Sequence, residues 1–213
     1  MTTGRQLMEQ ALREPMQAIG WRPRAAGWFT RSIAPEYTGV LAASVASRYA
    51  AAGTGHATLF VHLRRDDVQP VVRELLQSTY QDGGYRSTSA VTSIGYLMPA
   101  PTWRSWLVTP ETAAPVAAEL AAATRDHAQP YLERLAADPE RVLQAVKSSG
   151  TIMASAAGPC TVAVLLARLG RPDEGWAFIQ QHLSSISSRT DPAAQDSRQM
   201  ADRLRHWLDR LPR

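Results

Sequence analysis

Apolar residues recur at helical spacing over residues 4–19, where Leu7, Met8, Ala11, Leu12 and Ile19 mark one face and Gly20 supplies a stop. Pro15 is expected to bend or shorten this helix, because its ring clashes with the preceding turn. The period then changes. Gly27-Trp28-Phe29-Thr30-Arg31 is aromatic and β-branched and reads as strand, and Pro35 interrupts it. A second strand is expected from Tyr37 to Ser47, with Val40, Leu41 and Val45 as its apolar content. After a turn of small residues from Ala50 to Gly55, the segment His56–Leu63 alternates. Leu59, Val61 and Leu63 fall on one face, and His56, Thr58, Phe60 and His62 on the other. Loops this short imply antiparallel neighbours, since parallel strands need a long crossover.

Asp66 or Asp67 is placed to cap a helix carrying Val68, Val71, Val72, Leu75 and Leu76. Gly83-Gly84 breaks the chain. Tyr85 to Met98 reads as a Ser- and Thr-rich strand, and Trp103 to Val108 as a last strand or the rim of the sheet. From Thr109 onward every start signal announces a helix: Thr109-Pro110, Asp138-Pro139 and Asp191-Pro192 each offer a capping side chain followed by proline at the first helical position. Gly158-Pro159 and Pro172-Asp173-Glu174 open two more. The segment from Leu166 to Ala177 has the look of a tetratricopeptide hairpin, but one copy cannot bury its own faces and reads as an ordinary antiparallel helix pair. The expected fold class is α+β: an antiparallel sheet of four to five strands covered by helices, then an all-helical half. The expected organisation is a single domain over residues 1–213, sheet-rich over residues 1–108, with a helical half over residues 109–213 packed on the sheet.

Composition narrows the setting. The chain has 213 residues, 45% of them apolar and 20% charged, which suits a globular domain with a real core. No apolar run reaches the roughly eighteen residues needed to cross a bilayer, so no membrane partner is expected. The N-terminus is an amphipathic polar helix rather than a secretory segment. Cys160 is the only cysteine and has no internal partner, so a cytoplasmic location is the expectation. The net charge of +4 suggests acidic partners at first sight. Yet Lys147 is the only lysine, alanine is abundant and most arginines sit beside acids, which points to codon usage in a GC-rich genome. Nucleic-acid binding is therefore disfavoured.

Candidate chemistry is sparse. His56 and His62 share a strand face but lie roughly 20 Å apart at strand rise, too far for one metal. His127, His182 and His206 fall on three helices with no ligand spacing, and no metal or other cofactor is expected. Cys160 stands near a helix start without a base and among apolar residues, and reads as a buried small hydrophobe. Gly53-Thr54-Gly55 and Gly83-Gly84 fit no phosphate-loop pattern, and no nucleophile elbow is present. Asp66 and Asp67 read as a helix start rather than an acid/base pair, and Ser87, Ser89 and Ser93 as one solvated strand face.

The sheet is richer. Trp28, Phe60, Tyr85, Tyr96, Trp103 and Trp106 fall in or beside predicted strands, with Arg31, Arg64, Arg86 and Arg104 close in sequence. Trp28 and Phe60 are expected to fill a groove between sheet and helices. Trp103 and Trp106, three apart, would face opposite sides of a strand, leaving one of them on display. Tryptophan and arginine dominate binding hot spots, so the candidate ligand or partner residues are Trp103, Arg104, Trp106, His62, Arg64 and Tyr37.

The order of these features resembles the bacterial group catalogued as domain of unknown function 4304. The resemblance rests on Ile19-Gly20-Trp21 at the end of the first helix, Gly27-Trp28-Phe29-Thr30-Arg31, the strands Val40–Val45 and Leu59–Leu63, and the tryptophan-bearing segment Trp103–Val108. It covers roughly two thirds of the chain and departs at Pro35 and over 85–93. It implies no catalytic residues. With the analogy of similar small bacterial domains, it favours a non-catalytic binding module, of the immunity, resistance or accessory kind, that recognises a protein or small molecule. The alternative is an enzyme whose site is assembled from distant residues, such as His62 with Arg64 and Tyr37, in a cleft between sheet and helices.

Overall fold

Thr3 begins the first helix, α1 (Gly4–Ala18), with a capping box: its hydroxyl accepts from the Gln6 amide at 3.2 Å and the Gln6 side chain accepts from the Thr3 amide at 2.9 Å. Met8, Leu12 and Met16, one helical turn apart, are fully buried. Pro15 lies inside the helix, which still runs on to Ala18, and Gly20 with φ +84° ends the excursion. The structure is a computed structural model that describes residues 2–48, 50–77, 88–150 and 156–211. It divides into two compact units, residues 1–64 with 91–137 and residues 65–90 with 138–213.

The first unit carries the sheet, with the fold class α+β that the patterning predicts. The strands β1 (Arg22–Pro23), β2 (Trp28–Ala34), β3 (Tyr37–Ala46), β4 (Gly55–Arg65) and β5 (Ala90–Ser93) lie side by side in that order, and β6 (Trp106–Val108) also pairs with β4. Register is set by the hydrophobic alternation: Phe29 pairs with Leu41 and Trp28 with Ala42 across the antiparallel β2–β3 hairpin. Pro35 sits in the turn of that hairpin, where its missing N–H costs no ladder bond. The helix α3 (Ala113–Ala123), a π-helical turn (Thr124–Ala128) and α4 (Gln129–Ala136) follow one another without a break. Within this unit α1 packs on α3 and β3, and α4 packs on β2.

The second unit is helical: α2 (Gln69–Leu75), α5 (Pro139–Gly150), α6 (Ala157–Arg168), α7 (Pro172–Ser185) and α8 (Pro192–Leu208). The proline-marked starts of α5 and α8 hold, because Asp138 accepts from the Glu140 amide at 3.0 Å and Asp191 from the Ala194 amide at 3.2 Å. The helix α6 is the hub, with Cys160 through Leu166 all buried. Its pairing with α7 is close because Gly175 leaves room: a Cβ there would lie 2.7 Å from the Ala163 carbonyl oxygen. No helix among the described residues is long and apolar enough to cross a membrane.

Several local expectations are corrected. Neither Asp66 nor Asp67 caps α2, whose N-cap position is Val68; Asp67 is drawn instead to the Arg65 guanidinium at 2.9 Å. Among the described residues the strand expected over 85–98 runs only from Ala90 to Ser93, and Ile94–Tyr96 forms a single 3₁₀ turn; Gly83, Gly84, Tyr85, Arg86 and Ser87 lie outside the described residues. Ser89 and Ser93 are buried rather than solvated, and Ser89 accepts from the Arg65 amide and the Gln69 side chain. The strand expected from Trp103 begins only at Trp106. Thr109 accepts from the amides of Glu111 and Thr112 as expected of a start signal, yet α3 begins four residues later, at Ala113.

Candidate binding surface

Alternation on β4 puts Phe60 and His62 on one face, and the rings on that face form a row. Trp28 of β2 meets His62 with ring centroids 5.6 Å apart, His62 meets Phe60 at 6.5 Å, and Phe60 meets Trp103 at 5.9 Å. All three contacts are tilted, the arrangement that brings a ring edge toward a neighbouring ring face. The residue cross-strand from Trp28 is the small Ala42, which leaves the space over β3 that a reach from β2 to β4 needs. Trp28 and Phe60 are thus half-buried members of a row on the sheet rather than plugs sealed beneath helices, and that expectation is corrected.

His62 is poorly placed to carry a charge. Burial pushes its pKa down to about 4, so the imidazole is neutral at physiological pH and behaves as one more ring in the row. Arg64 follows on the same face by parity. Tyr37 is 5% exposed, at the β2–β3 hairpin opposite Ala34, so its side chain is a packing element and is not displayed. His62 is therefore brought together with Trp28 and Phe60.

The row ends at the surface. Trp103 is 53% exposed, and Leu107 and Tyr96, from the same 94–108 segment, are 51% and 50% exposed. This segment folds back on Gly95, whose carbonyl accepts from the Thr102 amide at 3.2 Å and whose missing side chain lets the Arg104 backbone nitrogen approach to 3.0 Å of the Cβ position. Arg104 reaches across the bend to the Pro99 carbonyl at 3.3 Å. Trp106, paired with Ala57, is half-buried, and Leu107 stands opposite the exposed His56 at the rim of β4. Of the two tryptophans Trp103 is the displayed one, although it lies outside the strand from which its direction was argued. Tyr96 is one of the aromatics the sequence places in or beside strands, whereas Leu107 gives no signal beyond being apolar; the exposure of both follows from the 3₁₀ turn and from β6 having only three residues.

Other candidates fall away from this surface. Cys160 is fully buried, and burial pushes its thiol up to about 12, so it is not a thiolate nucleophile. Among the described residues no three His, Cys, Asp or Glu side chains come together as a metal-ligand set.

Two hollows lie elsewhere. One of about 480 Å³ in the helical unit is lined by Trp176 of α7 and by Arg205 and Leu208 of α8, with the Arg205 guanidinium 5.2 Å from the Trp176 ring centre. The other, of about 300 Å³ in the sheet unit, is lined by Gly20, Arg22, Arg24, Thr30, Arg31, Ser32 and Thr38. Arg22 and Arg24 were not among the residues that the sequence pattern singles out; the alternation Arg22-Pro23-Arg24 just ahead of a hydroxyl-bearing strand was the available signal. No family model, curated protein or solved structure matches the chain.

Proposed function

We propose that the protein is a non-catalytic binding module that engages a partner protein through the displayed end of its aromatic row. The observation that carries this reading is the joint exposure of Tyr96, Trp103 and Leu107 on one short segment, with Trp103 braced against Phe60. Exposing three large apolar side chains together is unfavourable in water, whereas a partner that covers them recovers that free energy. The Phe60 contact holds the Trp103 ring in place before binding, which lowers the ordering cost of association. An exposed segment of this kind suits a macromolecular surface better than an enclosed small molecule. Arg104, next to the exposed ring in the chain, favours a partner that is acidic around an apolar centre.

The test uses a photo-crosslinking residue, p-benzoylphenylalanine, at position 107 and, as a control, at the exposed Gln199 on the helical unit. The expected result is an adduct specific to position 107 whose partner, once purified, binds the wild-type chain. Trp103→Ala should weaken that purified pair by tenfold or more while leaving the thermal midpoint near wild type. Identical adducts from both positions, unchanged affinity of Trp103→Ala, or self-association of the chain through this patch in sedimentation would each overturn the proposal.

A further inference from the structure

The geometry points to the 300 Å³ hollow at β1 and β2 as a binding site for the dianionic phosphate group of a small phosphomonoester. This does not depend on the aromatic row. Arg22 stands cross-strand from Thr30 and lines the hollow, and the Arg24 Nε donates to the Thr30 hydroxyl at 3.0 Å, so β1 and the residue after it bring two arginines to the hydroxyl row of β2. Ser32 continues that row and pairs with Thr38 of β3. A third guanidinium, that of Arg31, is held by one nitrogen: its Nη1 donates to the Ile19 carbonyl at 2.6 Å and to the Gln129 side chain at 2.9 Å. Gly20 makes this possible twice over, by adopting φ +84° and by lacking a Cβ that would sit 3.1 Å from that same Nη1.

Charge makes the cluster informative. Several arginines elsewhere pair with carboxylates, Arg5 with Glu9, Arg65 and Arg168 with Asp67, Arg189 with Asp191 and Arg205 with Asp209, and others, such as Arg198 and Arg203, donate to backbone carbonyls. Arg22, Arg24 and Arg31 line one hollow together, and no carboxylate among the described residues pairs with any of them. Glu133 is connected to Arg31 only through the Gln129 amide, which donates to it at 2.9 Å. Arg22 shares the face of Thr30 and Ser32 and Arg24 bonds to Thr30, whereas Arg31 is one residue out of phase and its guanidinium is tied to Ile19 and Gln129. Cations that line one cavity repel one another, and a bound anion removes that repulsion. Phosphate fits better than carboxylate. A carboxylate is satisfied by one guanidinium fork, whereas a tetrahedral dianion accepts from several directions at once and matches guanidiniums set around a hydroxyl row. The hollow is open on one side, which leaves the organic portion of a monoester at its mouth.

Isothermal titration at constant ionic strength tests the site with inorganic phosphate and glycerol phosphate as ligands. Saturable one-to-one binding is expected, with dimethyl phosphate and acetate bound at least tenfold more weakly. Arg22→Gln alone, at an exposed residue whose loss leaves the fold intact, should weaken phosphate binding severalfold, and Arg22→Gln with Arg24→Gln by tenfold or more. Arg205→Gln in the helical unit should change nothing. Absence of saturation with both phosphates, equal binding of acetate, or indifference to the Arg22 and Arg24 variants would overturn the proposal. So would tighter binding to a single-stranded oligonucleotide or to vesicles containing phosphatidic acid, since these would make the source a polymer backbone or a lipid headgroup.

Discussion

Acidification should weaken the sheet unit through His62. In the folded protein the imidazole lies between Trp28 and Phe60 with its pKa pushed down to about 4, against an ordinary value of 6.5 once the chain unfolds. Below pH 6.5 the unfolded chain takes up a proton that the folded one refuses, so stability is fully present above that pH and is lost progressively down to about 4. At about 1.4 kcal/mol per pH unit the full interval is worth on the order of 3 kcal/mol, and the descent from pH 6.5 to 5 about 2 kcal/mol. For a domain whose total stability is about 5–15 kcal/mol this is a large fraction. The assay is urea unfolding between pH 7.5 and 4.5, followed by circular dichroism, for the wild type and for His62→Phe, which keeps a ring in the row and removes the titration. His182 is also depressed, by partial burial and by Arg189, and acts in the same direction in both proteins, so the difference between them isolates His62. The wild type should lose about 2 kcal/mol more than His62→Phe on going from pH 6.5 to 5. Parallel curves, or an imidazole proton resonance that titrates near 6.5 in the folded protein, would refute the reasoning.

Further outcomes follow from single contacts. Cys160, buried and with its thiol pushed up to about 12, should resist alkylation by iodoacetamide at pH 8 for hours and react within minutes in 6 M urea; rapid labelling of the folded chain would contradict its placement in α6. Ser89→Ala removes the acceptor of the Arg65 amide and of the Gln69 side chain inside the helical unit, which should cost about 1–3 kcal/mol in urea unfolding. Gly175→Ala drives a methyl against the Ala163 carbonyl and should cost about 1–3 kcal/mol, measured as a lowered thermal midpoint. Gly95→Ala should disturb the 102–104 bend and increase the solvent quenching of Trp103 fluorescence by acrylamide, with Trp106→Phe as the background that simplifies the spectrum.

The aromatic row and the arginine hollow obey the same rule of sheet construction. Side chains two apart on a strand share a face, and cross-strand partners share it too. This is why Phe60 and His62 line up from the alternation of β4 alone. It is also why Arg22 meets Thr30: β1 is only two residues long, but its pairing with β2 is enough to aim one guanidinium at the hydroxyl row.

Local patterning determined the elements. The capped, four-residue repeat of Met8, Leu12 and Met16 specified α1, the alternation through Leu59, Val61 and Leu63 specified β4, and the Asp-Pro signals at 138 and 191 specified the starts of α5 and α8, because in each case the cause lies within a few residues. Tertiary structure alone decided the rest. Asp67 left its expected cap for Arg65 and for Arg168, which α6 brings to it at 3.7 Å, because guanidiniums compete with the helix start for the carboxylate. Ser89 became a buried acceptor because the second unit closes around it. Trp103 joined Phe60 from a segment far along the chain, and Arg22 and Arg24 came to line one cavity with Thr30 through the pairing of β1 with β2. Such meetings depend on register and on the close approaches that Gly20, Gly95 and Gly175 permit, and a periodicity read along the chain has no access to distance across it.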